Sequence, residues 1–463
     1  MGDQTRFSTV FVVMPYGRRT DPHSGIEIDF DDVWTRAFRP AAEEAGIEAI
    51  RADEERVGGF VHLAMFERLL LAEVVLADLT LASPNVMYEL GIRHATRPRA
   101  TIPVFARVGG LPFDLAPIRA VPYQLDRDGR LGRAACDDLV AGLVSRFRAA
   151  SSDTAADSPL FQLIKSYPGV TLPHDVTESF QDRVRQVTAL SSQIRDAARL
   201  LPQPAAVTAL LAIQARLLAS AGAPTDLLVD LLLGYRDAEA YDEMVELFDQ
   251  LPDEVARHPA VRQVGAFALN RRGRPGDDRR AIEMLEGVLD ERGPDPETLG
   301  LLGRVHKDRH QALVDTDPDV AAEALDEAIS AYERGFRTDM RDYYPGVNAV
   351  TLLMLKGTDE AYQRARELSP VVAFAVAGRR GLESHDYWDV ATVLELAVVN
   401  LDEPTARAAL RRLVYIGGPA WRVRTTRENL ERLRAAHRNR DAEPAWLGEV
   451  LARLVAPDGR ADA

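Results

Sequence analysis

Residues 76–95 read LADLTLASPNVMYELGIRHA, and the way they fold decides the architecture of the first third of the chain. VVLADLT, 74–80, is short, apolar and β-branched, the composition of a strand buried on both faces. Ser83 stands where a helix N-cap belongs and Pro84 at the first helical position. PNVMYELGIRHAT, 84–96, then continues at helical spacing. The segment therefore predicts a strand, a tight turn and a helix.

The same alternation extends in both directions. TVFVVMPY (9–16) predicts a strand. DFDDVWTRAFRPAAEEAG (29–46) predicts a helix, with Phe30, Val33, Trp34, Ala37, Phe38 and Ala41 on one stripe and Gly46 past its end. IEAIRAD (47–53) is a strand and VHLAMFERLLLAE (61–73) a helix. TIPVFAR (101–107) and AVPYQLD (120–126) are strands, and LGRAACDDLVAGLVSRFRAA (131–150) is a closing helix. Strands and helices at this spacing predict a Rossmann- or flavodoxin-like α/β domain over residues 1–150, its parallel sheet covered on both faces.

A polar, small-residue linker opens with SSDTAADSP and is placed at 151–170. From 171 to 455 the pattern becomes helices separated by short turns, as in AIEMLEGVLDERGPDPETLGLLGRVHKDR (281–309). ALDEAISAYERGFRTDMRDYYPGVNAVTLLMLKG (324–357) repeats that form, with Ala328 and Gly335 where Ala281 and the turn before Pro294 stood. Small residues at recurring positions let helices approach closely, so a degenerate, all-α tetratricopeptide-like array is predicted. HQALVDTDPDVAAE (310–323) reads as an insertion in it.

Bulk properties narrow the function. A chain of 463 residues is too long for one ordinary core, and a formal net charge of −15 argues against a general nucleic-acid binder. The single cysteine, Cys136, rules out an intrachain disulfide and a cysteine metal cluster, and it reads as a small buried residue. No apolar run approaches membrane-spanning length. A cytoplasmic protein with no membrane partner, no metal and no cofactor is expected. His306 and His310 are spaced i,i+4 but lack the residues of a zinc motif.

In an open α/β sheet, ligands collect outside the carboxyl ends of the strands. MPYG (14–17), ADEERVGG (52–59), DLTLASPN (78–85) and ARVGGLPFD (106–114) should converge there. Glu89 has two readings. It can belong to a solvated helix face with Asn85, Arg93 and Thr96, paired with Arg93 at i,i+4. It can also be a carboxylate aimed into that edge.

ADLTLASPNVMYELGIRHA, with FVVMPYG upstream, resembles the nucleoside 2-deoxyribosyltransferase-like and TIR-like superfamily over about residues 8–125. The resemblance implies that Glu89 is catalytic at a sugar C1′, and that Ser83 helps to hold a 5′-phosphate on a nucleotide or NAD-like molecule. Tyr16, Gly17, Asp78, Thr80 and Asn85 complete the candidate site: Tyr16 to stack on a base, Asp78 to orient the sugar or Thr80. Self-association is a further expectation of the TIR-like resemblance. Met65 stands near the place of the family's sugar-gripping acid, and Asp53, Glu54 or Asp78 are the substitutes at hand. DMRDYYPGVNAVTLLMLKG (339–357) and DYWDVATVLELAVV (386–399) resemble the TRAF-binding region of apoptosis-signal-regulating mitogen-activated kinase kinase kinases. That helical domain also occurs in bacterial proteins, and it implies a protein partner for residues of about 158–440. Tyr343, Tyr344, Tyr387 and Trp388 are expected to pack between helices, and Pro345 and Gly346 to set the bend into the next one. The Gly-rich loop, HRD and DFG of a kinase are absent from the sequence. The combined expectation is a signalling or defence protein that cleaves or transfers at an N-glycosidic bond under control of its helices. The alternative is a non-catalytic nucleotide-sensing or protein-binding scaffold.

Overall fold

The computed structural model describes residues 9–21, 24–52, 62–107, 120–126, 128–152, 155–164, 166–168, 186–187, 189–219, 224–379 and 381–454. They divide into two compact units, Met1–Ala238 and Glu239–Ala463.

The first unit is built on strands β1 (Thr9–Val13), β4 (Glu48–Arg51), β5 (Val74–Asp78), β6 (Thr101–Ala106) and β7 (Val121–Tyr123), with a hairpin of β2 (Arg18–Thr20) and β3 (Glu27–Asp29) beside them. The five-stranded sheet runs β4-β1-β5-β6-β7 and every pair in it is parallel. The chain steps outward from β1 to β4, then returns to the other side of β1. The strand order therefore reverses between β1 and β5, the flavodoxin-like arrangement that opens a crevice at their carboxyl ends.

Strand periodicity sends alternate residues to opposite faces. Val10, Val12, Leu76 and Val104 pack with Trp34, Phe38, Leu143 and Phe147. Phe11, Val13, Val75 and Ala77 pack with Met65, Leu69, Val86 and Leu90. Each large apolar side chain taken fully from water contributes roughly 1.5–3 kcal/mol, so these two layers fix the sheet between its helices. The β2–β3 hairpin was not legible, because all its residues but the buried Ile28 are polar and β2 is exposed, held by Arg18 to Asp29 at 3.0 Å. The helix expected over 29–46 forms, interrupted by a π-helical turn at Trp34–Phe38. Cys136 is buried and its thiol donates to the Arg36 carbonyl at 3.1 Å.

Among its described residues the second unit consists of helices joined by short turns, the connection expected between antiparallel neighbours. The expected helices and turn near Gly293 are present as Asp277–Arg292 and Pro296–Leu313. The most extensive packing joins Pro296–Leu313 to Pro318–Thr338, and 310–323, read as an insertion, comprises the end of the first of these helices, a short turn at 314–317 and the start of the second. Gly303 makes this contact feasible: a Cβ there would lie 2.8 Å from the Tyr332 ring. Gly346 sits one turn inside the helix Tyr343–Lys356, where a Cβ would lie 2.7 Å from Val372. It permits a close helix approach; the bend assigned to it and Pro345 is made earlier, at the Asp342 cap. His310 is taken up by the Ala321 carbonyl at 2.8 Å. Among the described residues no helix is long and apolar enough to cross a membrane, and no group of three or more His, Cys, Asp or Glu could hold a metal ion.

Candidate functional site

Asp78 ends β5 completely buried. Its Oδ1 accepts from the Thr80 hydroxyl at 2.5 Å and the Thr80 backbone N–H at 2.9 Å. Its Oδ2 accepts from the Tyr123 phenol at 2.8 Å. Thr80 Oγ1 in turn accepts from the Ala106 backbone N–H at 2.9 Å and lies 3.0 Å from Tyr123 Oη. The cluster ties the end of β5 to β6 and β7. Burial raises the Asp78 carboxyl from 3.8 to about 6, although the bonds from Thr80 and Tyr123 favour its charged form. Burial, then the Asp78 charge, pushes the Tyr123 phenol well up. Asp78 thus orients Thr80, and its oxygens are occupied by protein donors. Tyr123 was missed because nothing in AVPYQLD links it to a carboxylate 45 residues away.

Glu89 lies one turn into the helix Pro84–Thr96 and is only 7 % exposed. The solvated-face reading is therefore corrected. Arg93, 1 % exposed, is also inside. Instead of the expected i,i+4 pairing with Glu89, its guanidinium donates to the carbonyls of Leu69 and Ala72 at 3.0 and 2.8 Å, and to those of Glu73, Arg99 and Ala100 at 3.3–3.4 Å. Burial lowers Arg93 to about 9. Burial, reinforced by the Arg93 charge, lowers His94 to about 4, which keeps that imidazole neutral near pH 7. Asn85 is exposed and Thr96 is half-buried, donating to the Ile92 carbonyl at 2.8 Å.

The remaining candidates are spread along the edge. Ser83 occupies the N-cap position, but its side chain makes no capping hydrogen bond. Tyr16, after β1, is half-buried with the Arg19 guanidinium 4.9 Å from its ring centroid. Gly17 has φ +63°, a conformation that favours glycine, and its N–H donates to Asp31 at 3.3 Å. Met65 is buried among Leu69, Val86 and Leu90. Asp53, Glu54 and most of the loops 52–59 and 106–114 lie outside the described residues.

In the helical unit, Asp389 is buried and accepts from Tyr343 Oη and Ser384 Oγ, each at 2.7 Å. Burial raises Glu395 to about 7, with Asn429 donating to it at 3.0 Å. Tyr343 and Tyr387 are core residues as expected, whereas Tyr344 is exposed and Trp388 half-buried against Trp421.

A parallel sheet joined to an array of short-turn helices defines the class of protein. The sequence model of the family described as "MAP3K TRAFs-binding domain" matches residues 86–450. That is most of the chain, and the chain belongs to this family. Mitogen-activated protein kinase kinase kinase nsy-1 of Caenorhabditis elegans is 33% identical over 216 residues, 43% of this chain and 14% of that protein. Mitogen-activated protein kinase kinase kinase 15 of Mus musculus is 32% identical over 215 residues, covering 44% and 16%. Mitogen-activated protein kinase kinase kinase 6 of Homo sapiens is 26% identical over 374 residues, covering 76% and 28%. The chain thus spans between 14% and 28% of the length of these relatives. Among solved structures, a human IFIT1 dimer with PPP-AAAA aligns with a TM-score of 0.29 and 14% identity, over 60% of this chain and 68% of that one, a likeness that bears on neither fold nor function.

Proposed function

We propose that this chain is a protein-docking component of a signalling assembly, with its helical unit, a tetratricopeptide-like array, supplying the contact surface. The observation that carries the reading is the family match across 86–450, which takes in nearly all of the second unit. The family description names TRAF proteins, and these are the partner class to test first. The full chain is titrated against immobilised, purified TRAF domains. Saturable binding is expected; no binding to any of them overturns the proposal.

Glu89 favours a second reading, in which the sheet unit cleaves or transfers at an N-glycosidic bond of a nucleotide or NAD-like molecule. A carboxylate removed from bulk water, one turn into a helix at the carboxyl edge, suits stabilisation or covalent capture of an oxocarbenium ion. Ser83 and Asn85 would face the phosphate, and Tyr16 the base. Against it, Met65 is core and the Asp78 oxygens are already occupied, so the sugar hydroxyls lack those two partners. Chromatography of wild type and Glu89→Gln with nucleosides, nucleotides and NAD decides the matter. Base release by wild type alone establishes this reading, and silence at high protein concentration removes it.

A further inference from the structure

The helix Glu403–Ile416 ends at Gly417-Gly418, and the chain re-enters a helix at Ala420–Arg438. Large apolar side chains stand in solvent on both sides of this turn. Val414 is 64 % exposed, Tyr415 78 % and Trp421 49 %. Trp388, at the start of the helix Tyr387–Val399, lies with its ring centroid 5.8 Å from that of Trp421. Arg412 joins Tyr415 to the same place: its guanidinium is 5.4 Å from the Tyr415 ring centroid and donates to the Ser384 carbonyl at 2.9 Å.

Arg412 and Arg422 stack on these rings, Arg411 stands one helical turn before Tyr415 and Arg424 one turn after Trp421, and among the described residues none of the four forms an ion pair. Arg422 stacks 5.5 Å from the Trp421 ring centroid, and its Nε is buried with no hydrogen-bond partner. Two nearby carboxylates are engaged elsewhere. Asp386 caps its helix through the Trp388 N–H at 2.7 Å, and Asp389 holds Tyr343 and Ser384, with Arg379 at 3.4 Å. Glu383 is exposed in the loop that Arg412 grips.

We propose that this end of the helical unit docks an acidic peptide segment of a partner protein that carries one aromatic or aliphatic anchor residue. A guanidinium stacked on a ring can still present in-plane N–H donors to a carboxylate. Arg412 commits its Nε and Nη2 to the Ser384 and Glu383 carbonyls, which leaves Nη1 for that contact. The Trp388–Trp421 pair and Tyr415 offer the apolar area that an anchor residue would bury. A nucleic-acid strand has the same sign of charge, but the whole chain carries −15 and repels a polyanion more than a short peptide with few charges.

The inference rests on the docking function proposed above and names its site and ligand chemistry. Fluorescein-labelled dodecapeptides with a few Glu or Asp residues and one central Phe, Leu or Ala are titrated into the full chain, beside a labelled oligo-dT of the same length. The Phe and Leu peptides are expected to bind at least tenfold tighter than the Ala peptide, and more weakly as salt rises. Trp421→Ala and Arg424→Glu are each expected to weaken binding tenfold or more. The exposed Arg366→Glu, a charge-matched change elsewhere, should leave it as it was. Tyr415→Ala, which removes a solvent-facing ring, gives a second reading should Trp421→Ala misfold. Equal binding of Phe and Ala peptides, unaltered binding by the variants, binding of oligo-dT alone, or no peptide binding overturns the proposal. TRAF-domain binding that survives in Trp421→Ala leaves the docking function standing and moves it off this surface.

Discussion

In the sheet unit, Asp78 and Glu89 at the carboxyl edge and Arg93 at the amino ends of β5 and β6 lie inside the protein; at the 383–424 end of the helical unit, Tyr415, Trp421 and Val414 lie outside it. Both regions invert the ordinary distribution of polar and apolar groups, but with different consequences. Asp78 and Arg93 have their polar atoms matched by protein donors and acceptors, so their burial holds loops and strand ends in place. The exposed rings are only half covered, and the arginines around them lack carboxylates. A buried polar group with its partners supplied reads as framework. An exposed apolar group fringed by unpaired charge reads as a surface awaiting a partner.

The largest expected effect breaks the first side of that comparison. Arg93→Ala leaves the carbonyls of Leu69, Ala72, Glu73, Arg99 and Ala100 without their donor. It should destabilise the first unit by about 3–5 kcal/mol in urea unfolding. Arg93→Lys should recover little, because an ammonium cannot reproduce the planar fork. A loss below about 1 kcal/mol would mean that Arg93 is not a clamp.

Asp78 gives a pH signature. Its folded value, about 6, lies above the ordinary 3.8. Its contribution to stability is therefore fully present below pH 3.8 and is lost as pH rises through 6. Against Asp78→Asn, wild type should lose about 2 kcal/mol between pH 4 and pH 7. Parallel stability curves for the two proteins would contradict the buried, ionisable cluster.

Two glycines sharpen the packing of the second unit. Gly346→Ala places a methyl 2.7 Å from Val372 and 2.9 Å from Phe336, and should cost about 1–3 kcal/mol despite better helix propensity. Gly300→Ala meets Tyr344 at an ordinary 3.6 Å and should be neutral or stabilising by up to about 1 kcal/mol. Thermal melts of the two variants should separate, and coincident melts would refute the contact geometry. The smallest effect belongs to the exposed end, where Tyr415→Ala should change stability by less than about 0.5 kcal/mol.

The sheet was legible because alternating β and α patterns are dictated by burial on two faces. TVFVVMPY, VVLADLT and TIPVFAR each became a parallel strand. The position of Glu89 after β5 followed from the same pattern. Its burial did not, since a helical wheel gives a residue's direction but not what covers it. Arg93 looked like one half of a surface pair because its shortest bonds go to carbonyls more than 20 residues away, those of Leu69 and Ala72. The helices of the second unit were read from their small residues and turns, while their pairing depended on Gly303 and Tyr332, a contact that no local pattern announces. Tyr344 and Trp421 were indistinguishable in sequence from the buried Tyr343 and Tyr387, because helix-start aromatics serve cores and surfaces alike.

The most direct test of the central claim is the binding isotherm of the full chain with a purified TRAF domain, measured in parallel for wild type and Glu89→Gln. The docking function predicts saturable binding with the same affinity in both, together with no base release from nucleotides or NAD by either. Absence of binding, with base release by wild type that Glu89→Gln lacks, would contradict it and move the function of the chain to the sheet.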